Sequence, residues 1–310
     1  MDWKSKTKNI LFLSVDIVGS TQYKQYYSER GESQHWIEFF EFFFEEFPKQ
    51  LNLSIQKSSS HYATDIEIWK TLGDEIIFKA NIKNYRQVEI IIDYFINTIY
   101  TFRQIIKQKG LDSDISIDIK GSSWISEFPV YNSTLTIGKA ADYIGPSIDI
   151  GFRISKFATR RKFVISIEVA RILVEKTNGF KLYFDDTIPL KGVFKEKPYP
   201  LIWIDTQQNS TTDIEARLRK KVDENDLKLY CDSLFNNEAY PIHFPFFPEG
   251  EDFIIPPEGY LKELERQNIF NEQKDIAPEN GIDDAVQPSA GKSAELLLKF
   301  EKTLATPKTH

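Results

Sequence analysis

Two aspartates, Asp16 and Asp74, occupy positions where predicted strands end or turn. Asp16 follows the apolar stretch Ile10–Val15, which is typical of a strand covered on both faces. Asp74 follows Gly73 at the tip of a hairpin predicted over residues 61–80. Because adjacent strands lie about 5 Å apart, two carboxylates at strand ends can converge on one site. A pair of this kind suits Mg²⁺ or Mn²⁺, which retain room for water and phosphate oxygens.

The turn Ile17–Thr21 follows Asp16 directly and opens a predicted helix. The free backbone N–H groups and the positive dipole end of a helix N-terminus bind anions, so Gly19, Ser20 and Thr21 would face a phosphate beside the metal. One metal-bound triphosphate would occupy both the carboxylate pair and the helix N-terminus. Taken singly, an aspartate at either position is more often a helix cap or a turn former, and the residues alone leave that alternative open.

Three stretches of sequence extend this pattern: FLSVDIVGST at 12–21, WKTLGDEIIF at 69–78 and DYIGPSIDIGFRIS at 142–155. In type, order and spacing they resemble the motifs of class III nucleotide cyclases, and the resemblance spans roughly residues 8–205. It implies an α/β (α+β) fold, a ferredoxin-like class III cyclase sandwich in which helices pack on a mainly antiparallel sheet. It also implies an enzyme that converts a nucleoside triphosphate to a 3′,5′-cyclic mononucleotide and pyrophosphate.

Carried over by motif position, the resemblance assigns the metal site to Asp16, Asp74 and the backbone carbonyl of Ile17. Together these groups would hold two Mn²⁺ or Mg²⁺ ions. Lys191, in the stretch LKGVFKEK, matches a lysine that contacts phosphate. The resemblance further implies a homodimer, because class III cyclases build each site from both subunits and this chain carries one copy of each motif.

The same resemblance assigns base recognition to Lys70 and Asp142 and transition-state stabilisation to Arg153. Lys70 donates and Asp142 accepts, so the pair complements the edge of adenine or of cytosine rather than that of guanine or uracil. Asp149 occupies the position at which the family has an asparagine that orients the ribose. That departure predicts a changed ribose or base contact, or a weaker activity.

The segment GPSIDIGFRIS and the chain beyond the cyclase region most resemble the pyrimidine cyclases of Pycsar antiphage systems. Such an enzyme would make cyclic CMP or cyclic UMP, which a separate effector reads. Two alternatives are an adenylate cyclase of the same class and a nucleotide-binding regulatory module that has lost turnover. The presence of Asp16, Asp74 and Arg153 argues against the second alternative.

Composition excludes several other classes of protein. The net charge of −7 argues against a nucleic-acid partner, since phosphate backbones require a basic surface. The single cysteine, Cys231, cannot form an intramolecular disulfide, and the apolar stretch near the N-terminus is too short to span a membrane. We therefore expect a cytoplasmic protein without a membrane span.

The hydrophobic periodicity predicts the elements that position these residues. A helical pattern runs over residues 20–50 and is predicted to end at Pro48. Further helices are predicted over 84–109, through Arg153, and over 167–178, with strands at 115–119, 134–142, 163–166, 181–190 and 199–205. The expected domain limits are 1–208 for the cyclase domain, 209–274 for an extension of unknown role and 275–310 for a flexible linker and tail.

Overall fold

The computed structural model describes residues 7–56, 65–111, 115–137, 140–176, 180–192, 197–206, 222–237, 242–250 and 252–267. The chain divides into two units, Met1–Gln267 and Asn268–His310, and all of the described residues belong to the first unit. The predicted linker and tail at 275–310 lie outside the described residues. The predicted limit near residue 208 stays a prediction. Among the described residues, no helix is long and apolar enough to cross a membrane.

The elements alternate between strands and helices along the chain. The strands are β1 (Lys8–Val18), β2 (Ile66–Leu72), β3 (Glu75–Ile82), β4 (Asp118–Phe128), β5 (Ser133–Ile137), β6 (Ala140–Ile144), β7 (Lys162–Ile165), β8 (Leu182–Pro189) and β9 (Pro198–Asp205). The helices are α1 (Ser20–Glu29), α2 (Ser33–Gln56), α3 (Tyr85–Gln108), α4 (Pro146–Ser155), α5 (Ile167–Lys176) and α6 (Glu224–Asn237). A further helical segment begins at Tyr260.

A seven-stranded sheet in the order β2-β3-β1-β4-β7-β9-β8 forms the centre of the fold. Its neighbouring strands pair antiparallel, except that β4 and β7 pair parallel. The strands β5 and β6 form a separate antiparallel hairpin. The predicted fold class is therefore confirmed: this is an α/β sandwich with a mainly antiparallel sheet and packed helices.

Both faces of the sheet are covered, as the alternation of side chains along β1 demonstrates. Leu11, Leu13 and Val15 point into the larger core, which contains residues of α1, α2, α3, α5 and α6. Ile10 and Phe12 point to the opposite face and pack in a smaller cluster with residues of β6 and α4. Because side chains alternate with a period of two residues, Ser14 and Asp16 lie on this second face as well.

The helix predicted over residues 20–50 is wrong in its limits. The structure has two helices separated near Gly31, which adopts a positive φ of 74°. The second helix also continues through Pro48 to Gln56. Phe47 and Leu51 flank Pro48 and are both buried in the core. Packing on either side of the proline therefore outweighs the backbone hydrogen bond that a proline removes.

The strand predicted at 115–119 is also wrong in its extent, because β4 runs from Asp118 to Phe128 at the centre of the sheet. Ser122, Ser123 and Ser126 are fully buried in it, so the apolar pattern that marks a central strand is interrupted. The Ser123 hydroxyl donates to the Phe12 carbonyl over 2.9 Å, which offsets the cost of its burial. Likewise, the single strand predicted at 134–142 is the β5–β6 hairpin.

Helix α4 lies unusually close to the sheet. A Cβ added at Gly151 would come within 2.2 Å of the Trp124 ring, so only glycine permits this approach. The start of the helix is held by Asn132, whose side-chain oxygen accepts from the Ser147 backbone N–H over 3.2 Å. The Asn132 amide donates to the Glu127 carbonyl over 2.8 Å. These contacts fix the helix that carries Asp149 and Arg153.

We expect Gly151→Ala to destabilise the protein by about 1–3 kcal/mol, because the added methyl group must displace α4 or the Trp124 ring. Urea unfolding followed by circular dichroism measures this change. Lys156→Ala, at an exposed position just after the same helix, should change the free energy of unfolding by less than about 0.5 kcal/mol. Equal stability of the two variants would contradict the close contact.

Helix α6, which lies beyond the predicted cyclase region, packs on α5. Arg171 of α5 donates from Nε to Asp232 Oδ1 over 2.6 Å. Cys231 is fully buried beside this pair, and burial raises the pKa of its thiol to about 12. The thiol therefore stays protonated at neutral pH, and a buried, protonated thiol is a poor nucleophile.

Candidate functional site

Asp16 lies near the end of β1 and is flanked on both sides by charged residues. The strand register places it opposite Glu75 of β3 and opposite Lys120 of β4. The Ile17 backbone N–H donates to the Asp74 carbonyl over 3.4 Å, so the hairpin tip adjoins the end of β1. The structure therefore brings the two predicted metal-binding aspartates to one end of the sheet. The Ile17 side chain is buried in the core, so only its backbone is available to the site.

The carboxylates at this end of the sheet repel one another. Burial raises the pKa of Asp16, the negative charge of Asp74 raises it further, and Lys120 opposes the rise. Burial also raises the pKa of Glu75, with added repulsion from Asp16 and Asp74. The Ser14 hydroxyl donates a hydrogen bond to Glu75 Oε1. Because these acids are partly withdrawn from water, a cation beside them would be strongly favoured.

A cleft of about 280 Å³ opens between this end of the sheet and α4. Its walls combine acidic, basic and hydroxyl side chains with an aromatic ring. The lining residues are Ser14, Asp16, Leu72, Glu75, Lys120, Gly121, Ser122, Phe152, Ser155, Lys156 and Ala158. The Ser122 hydroxyl in this wall is buried and makes no hydrogen bond to other described residues. The cleft is therefore polar enough to receive a charged ligand.

The donor atoms at this position fit a hard divalent cation. Asp16 and Asp74 offer carboxylate oxygens and Ile17 offers a backbone carbonyl, which are the ligand types that Mg²⁺ and Mn²⁺ prefer. Within the described ranges, no group of three or more His, Cys, Asp or Glu side chains could hold a metal by itself. An ion here would need further oxygens from water or from a substrate phosphate.

The turn after β1 leads directly into the N-terminus of α1. Gly19 adopts a left-handed φ of 85° immediately before α1, and no side chain caps this helix. The Tyr23 N–H donates to the Gly19 carbonyl over 2.9 Å, which closes the first turn. Ser20 is buried and Thr21 is exposed. The free N–H groups of the first turn are thus left for a ligand close to Asp16.

The predicted base-contacting residues contact each other. Lys70 Nζ lies 2.8 Å from Asp142 Oδ1, and the same ammonium lies 3.9 Å from the centre of the Trp69 ring. Burial disfavours the charged carboxylate, but hydrogen bonds from Lys70 and from the Tyr143 backbone lower the pKa of Asp142 overall. Asp142 is therefore ionised at neutral pH and can only accept hydrogen bonds. A base edge would have to replace part of this ion pair.

Phe152 connects this pair with the cleft. Its ring lines the cleft beside Asp16 and lies 5.8 Å from the Lys70 ammonium. Phe152 also packs against Trp69, with 6.1 Å between ring centres. The predicted metal-binding and base-binding residues are therefore neighbours on the same face of the sheet.

Among the described residues that line the cleft, Asp16 is the one predicted site residue. Asp74 adjoins it through the hairpin tip, whereas Arg153, Asp149 and Lys191 are not brought into the cleft within one chain. Arg153 and Asp149 lie on α4, but they are not among the described residues that line the cleft. Lys191 follows β8, which is four strands from β1 in the sheet order, roughly 19 Å at the usual strand spacing. No contact between Asp16 and any of the three is observed among the described residues, and their roles stay predictions.

The residues that sequence reasoning missed are Glu75, Lys120 and Ser122. All lie on the same face as Asp16, and two of them are directly opposite it in the strand register. Glu75 could have been found from its position next to Asp74 on a predicted strand. Lys120 and Ser122 could not, because the full length of β4 was not recognisable.

No family model matches the chain, and no curated protein matches it. Among solved structures, the chain is similar to the adenylyl cyclase CyaB from P. aeruginosa, at 13% identity and a TM-score of 0.47, over 66% of this chain and 96% of that one. It is similar to the guanylyl cyclase Cya2 at 16% identity and a TM-score of 0.47, over 64% and 92%. A guanylate cyclase domain from Catenaria anguillulae in complex with GTP gives 13% identity and a TM-score of 0.42, over 64% and 97%.

Proposed function

We propose that this protein is a metal-dependent nucleotide cyclase that forms a 3′,5′-cyclic mononucleotide and pyrophosphate from a nucleoside triphosphate. The observation that carries the proposal is the meeting of Asp16 with the Asp74 hairpin tip at the start of α1. Two carboxylates for cations and a helix N-terminus for phosphate are then side by side. The three sequence motifs add the resemblance to class III cyclases.

In the proposed reaction, the ribose 3′-oxygen forms a bond to the α-phosphorus and its proton passes to solvent. The bond from that phosphorus to the bridging oxygen breaks, and pyrophosphate leaves with the electron pair. Asp16, Asp74 and the Ile17 carbonyl would hold divalent cations, which lower the pKa of the 3′-hydroxyl and neutralise phosphate charge. The chain needs no side-chain nucleophile, because its task is to position the triphosphate and stabilise charge.

The remaining predicted residues would act around the substrate. The N–H groups of the turn at Gly19–Thr21 would bind phosphate oxygens close to Asp16. Arg153, supplied by the second subunit of a homodimer, would stabilise negative charge as it develops on the α-phosphate. Asp149 would contact the ribose and Lys191 a terminal phosphate.

We further propose that the base is a pyrimidine, with CTP preferred to UTP. Lys70 and Asp142 offer one donor and one ionised acceptor, which complement the ring nitrogen and the amino group of cytosine. Adenine presents the same pattern, so the resemblance to pyrimidine cyclases decides between the two. A mismatched base would leave one member of a partly buried ion pair without a partner, which disfavours it. Cytoplasmic location, an antiphage role and a separate effector remain predictions.

Incubation with an equimolar mixture of ATP, GTP, CTP and UTP in the presence of Mn²⁺ tests the choice of base. We expect cyclic CMP to be the main product detected by mass spectrometry. Cyclic UMP as the main product would contradict the complementarity with Lys70 and Asp142 while leaving a pyrimidine cyclase. Cyclic AMP as the main product would contradict the pyrimidine assignment and support the adenylate alternative.

Lys70→Gln in the same mixture provides a matched test of the base contact. Glutamine keeps a polar side chain of similar reach but removes the ion pair with Asp142. We expect the preference for CTP over UTP to fall by about tenfold, since one hydrogen bond to a charged group typically contributes about 1.5–3 kcal/mol. An unchanged product ratio would show that other residues select the base.

A further inference from the structure

Lys120 forms an ion pair with a predicted metal ligand. Its Nζ lies 3.1 Å from Asp16 Oδ2, and both side chains are about a quarter exposed, at 23% and 26%. The pair is built into the sheet, because Asp16 and Lys120 are opposite each other in the β1–β4 register. Opposed residues of this kind remain within contact distance whenever the strands are paired.

The ion pair lies in the wall of the cleft. Lys120 and Asp16 both line this space, together with Glu75. A divalent cation bound to Asp16 would have to share the carboxylate with the ammonium or displace it. Two cations on one carboxylate repel each other, and this repulsion is weakly screened where the groups are partly buried.

We propose that Lys120 is a tethered counter-cation that competes with the divalent metal for Asp16 and so lowers the metal affinity of the nucleotide-free protein. The proposal deepens the proposed function, because it rests on the assignment of Asp16 as a metal ligand. In the absence of metal, the ammonium neutralises a carboxylate that is partly withdrawn from water. On metal binding it moves off Asp16 and remains in the cleft, where the buried Ser122 hydroxyl offers an acceptor.

Titration of the metal-free protein with Mn²⁺, without nucleotide, tests the competition. Electron paramagnetic resonance measures the free ion directly, so the readout does not depend on turnover. We expect Lys120→Gln to bind Mn²⁺ about tenfold more tightly than the wild type. An adjacent positive charge shifts the pKa of an aspartate by about 1–3 units, so it should weaken the binding of a competing cation by at least about tenfold. Lys120→Met, a second neutral side chain of similar length, should give the same result.

Two further variants separate local competition from a general change in charge. Lys156→Gln removes the same charge from the same cleft, at a position for which no ion pair with Asp16 is observed, and it should change Mn²⁺ affinity by less than about twofold. Lys120→Arg keeps the charge and should bind Mn²⁺ no more tightly than the wild type. An equal gain in Lys156→Gln, or no gain in either neutral Lys120 variant, would overturn the proposal.

Asp16→Asn distinguishes failure of this proposal from failure of the metal site. If Asp16→Asn loses Mn²⁺ binding while the neutral Lys120 variants match the wild type, the metal site stands and the competition by Lys120 is wrong. If Asp16→Asn binds Mn²⁺ as the wild type does, the assignment of Asp16 as a metal ligand is wrong, and the proposal falls with it.

Discussion

Asp16→Asn or Asp74→Asn is expected to lower the rate of cyclic nucleotide formation by about 10³-fold or more. Each substitution removes a carboxylate oxygen that would hold the divalent cations. Loss of metal-assisted charge stabilisation costs several kcal/mol at the transition state, and about 4 kcal/mol corresponds to 10³ in rate. Steady-state product formation at saturating Mn²⁺ measures the effect.

Stability distinguishes this result from simple unfolding. Because burial raises the pKa of Asp16, its ionised form destabilises the folded state at neutral pH, and an uncharged asparagine relieves that cost. The loss of the ion pair with Lys120 opposes the gain. We therefore expect the melting temperature of metal-free Asp16→Asn to change by no more than about 4 °C. A fall of more than about 10 °C would instead indicate that Asp16 has a structural role.

Glu67→Gln provides a matched control in the same hairpin. Glu67 lies on β2, is exposed, and pairs with Lys79 over 3.0 Å, so its loss removes one acidic charge outside the cleft. The activity of Glu67→Gln should stay within about twofold of the wild type, since exposed ion pairs contribute little to the free energy of folding. Strong inactivation of Glu67→Gln would mean that the assay responds to the charge of the hairpin rather than to the two aspartates.

A mixture of two inactive variants, Asp74→Ala and Arg153→Ala, is expected to recover about a quarter of the wild-type activity. In a homodimer with shared sites, a heterodimer of these variants contains one site with both defects and one site with neither. Random exchange of subunits makes half of the dimers heterodimers, and each has one intact site of two. The position of Arg153 on α4, outside the Asp16 cleft of its own chain, motivates this experiment.

Subunit exchange has to be demonstrated independently, for example with two affinity tags captured in sequence. A mixture of Asp16→Ala with Asp74→Ala is the matched control, since both defects fall in the same half-site and no intact site can form. If exchange occurs and the Asp74→Ala and Arg153→Ala mixture stays inactive, the shared-site arrangement is wrong. Arg153 would then act in its own chain or not at all.

The parts of the fold with regular apolar patterns could be predicted from the sequence. Helix α3 has buried residues at three- and four-residue intervals and a capping box between Asn84 and Gln87. The tight turn at Gly73 predicted the β2–β3 hairpin, and the structure has it there. These features depend on neighbouring residues alone, so local sequence contains the necessary information.

Other features depend on long-range contacts that the local pattern conceals. The buried serines of β4 interrupt the apolar pattern by which a central strand is predicted, because their hydroxyl groups are polar although their surroundings are not. As a result, the sequence did not identify Lys120 as the partner of Asp16, from which it is separated by 104 positions in the chain. Lys70 and Asp142, to which the resemblance assigns base recognition, form an ion pair with each other, and their role in binding a base stays a prediction.

The most direct test of the cyclase proposal is the stoichiometry of the reaction of the wild-type protein with CTP and Mn²⁺. Mass spectrometry of the nucleotide products, together with ³¹P NMR of the phosphate products, follows both halves of the reaction. We expect one 3′,5′-cyclic CMP for each pyrophosphate, and neither product from Asp16→Asn. Formation of CDP and inorganic phosphate, or no turnover of any of the four nucleoside triphosphates, would contradict it.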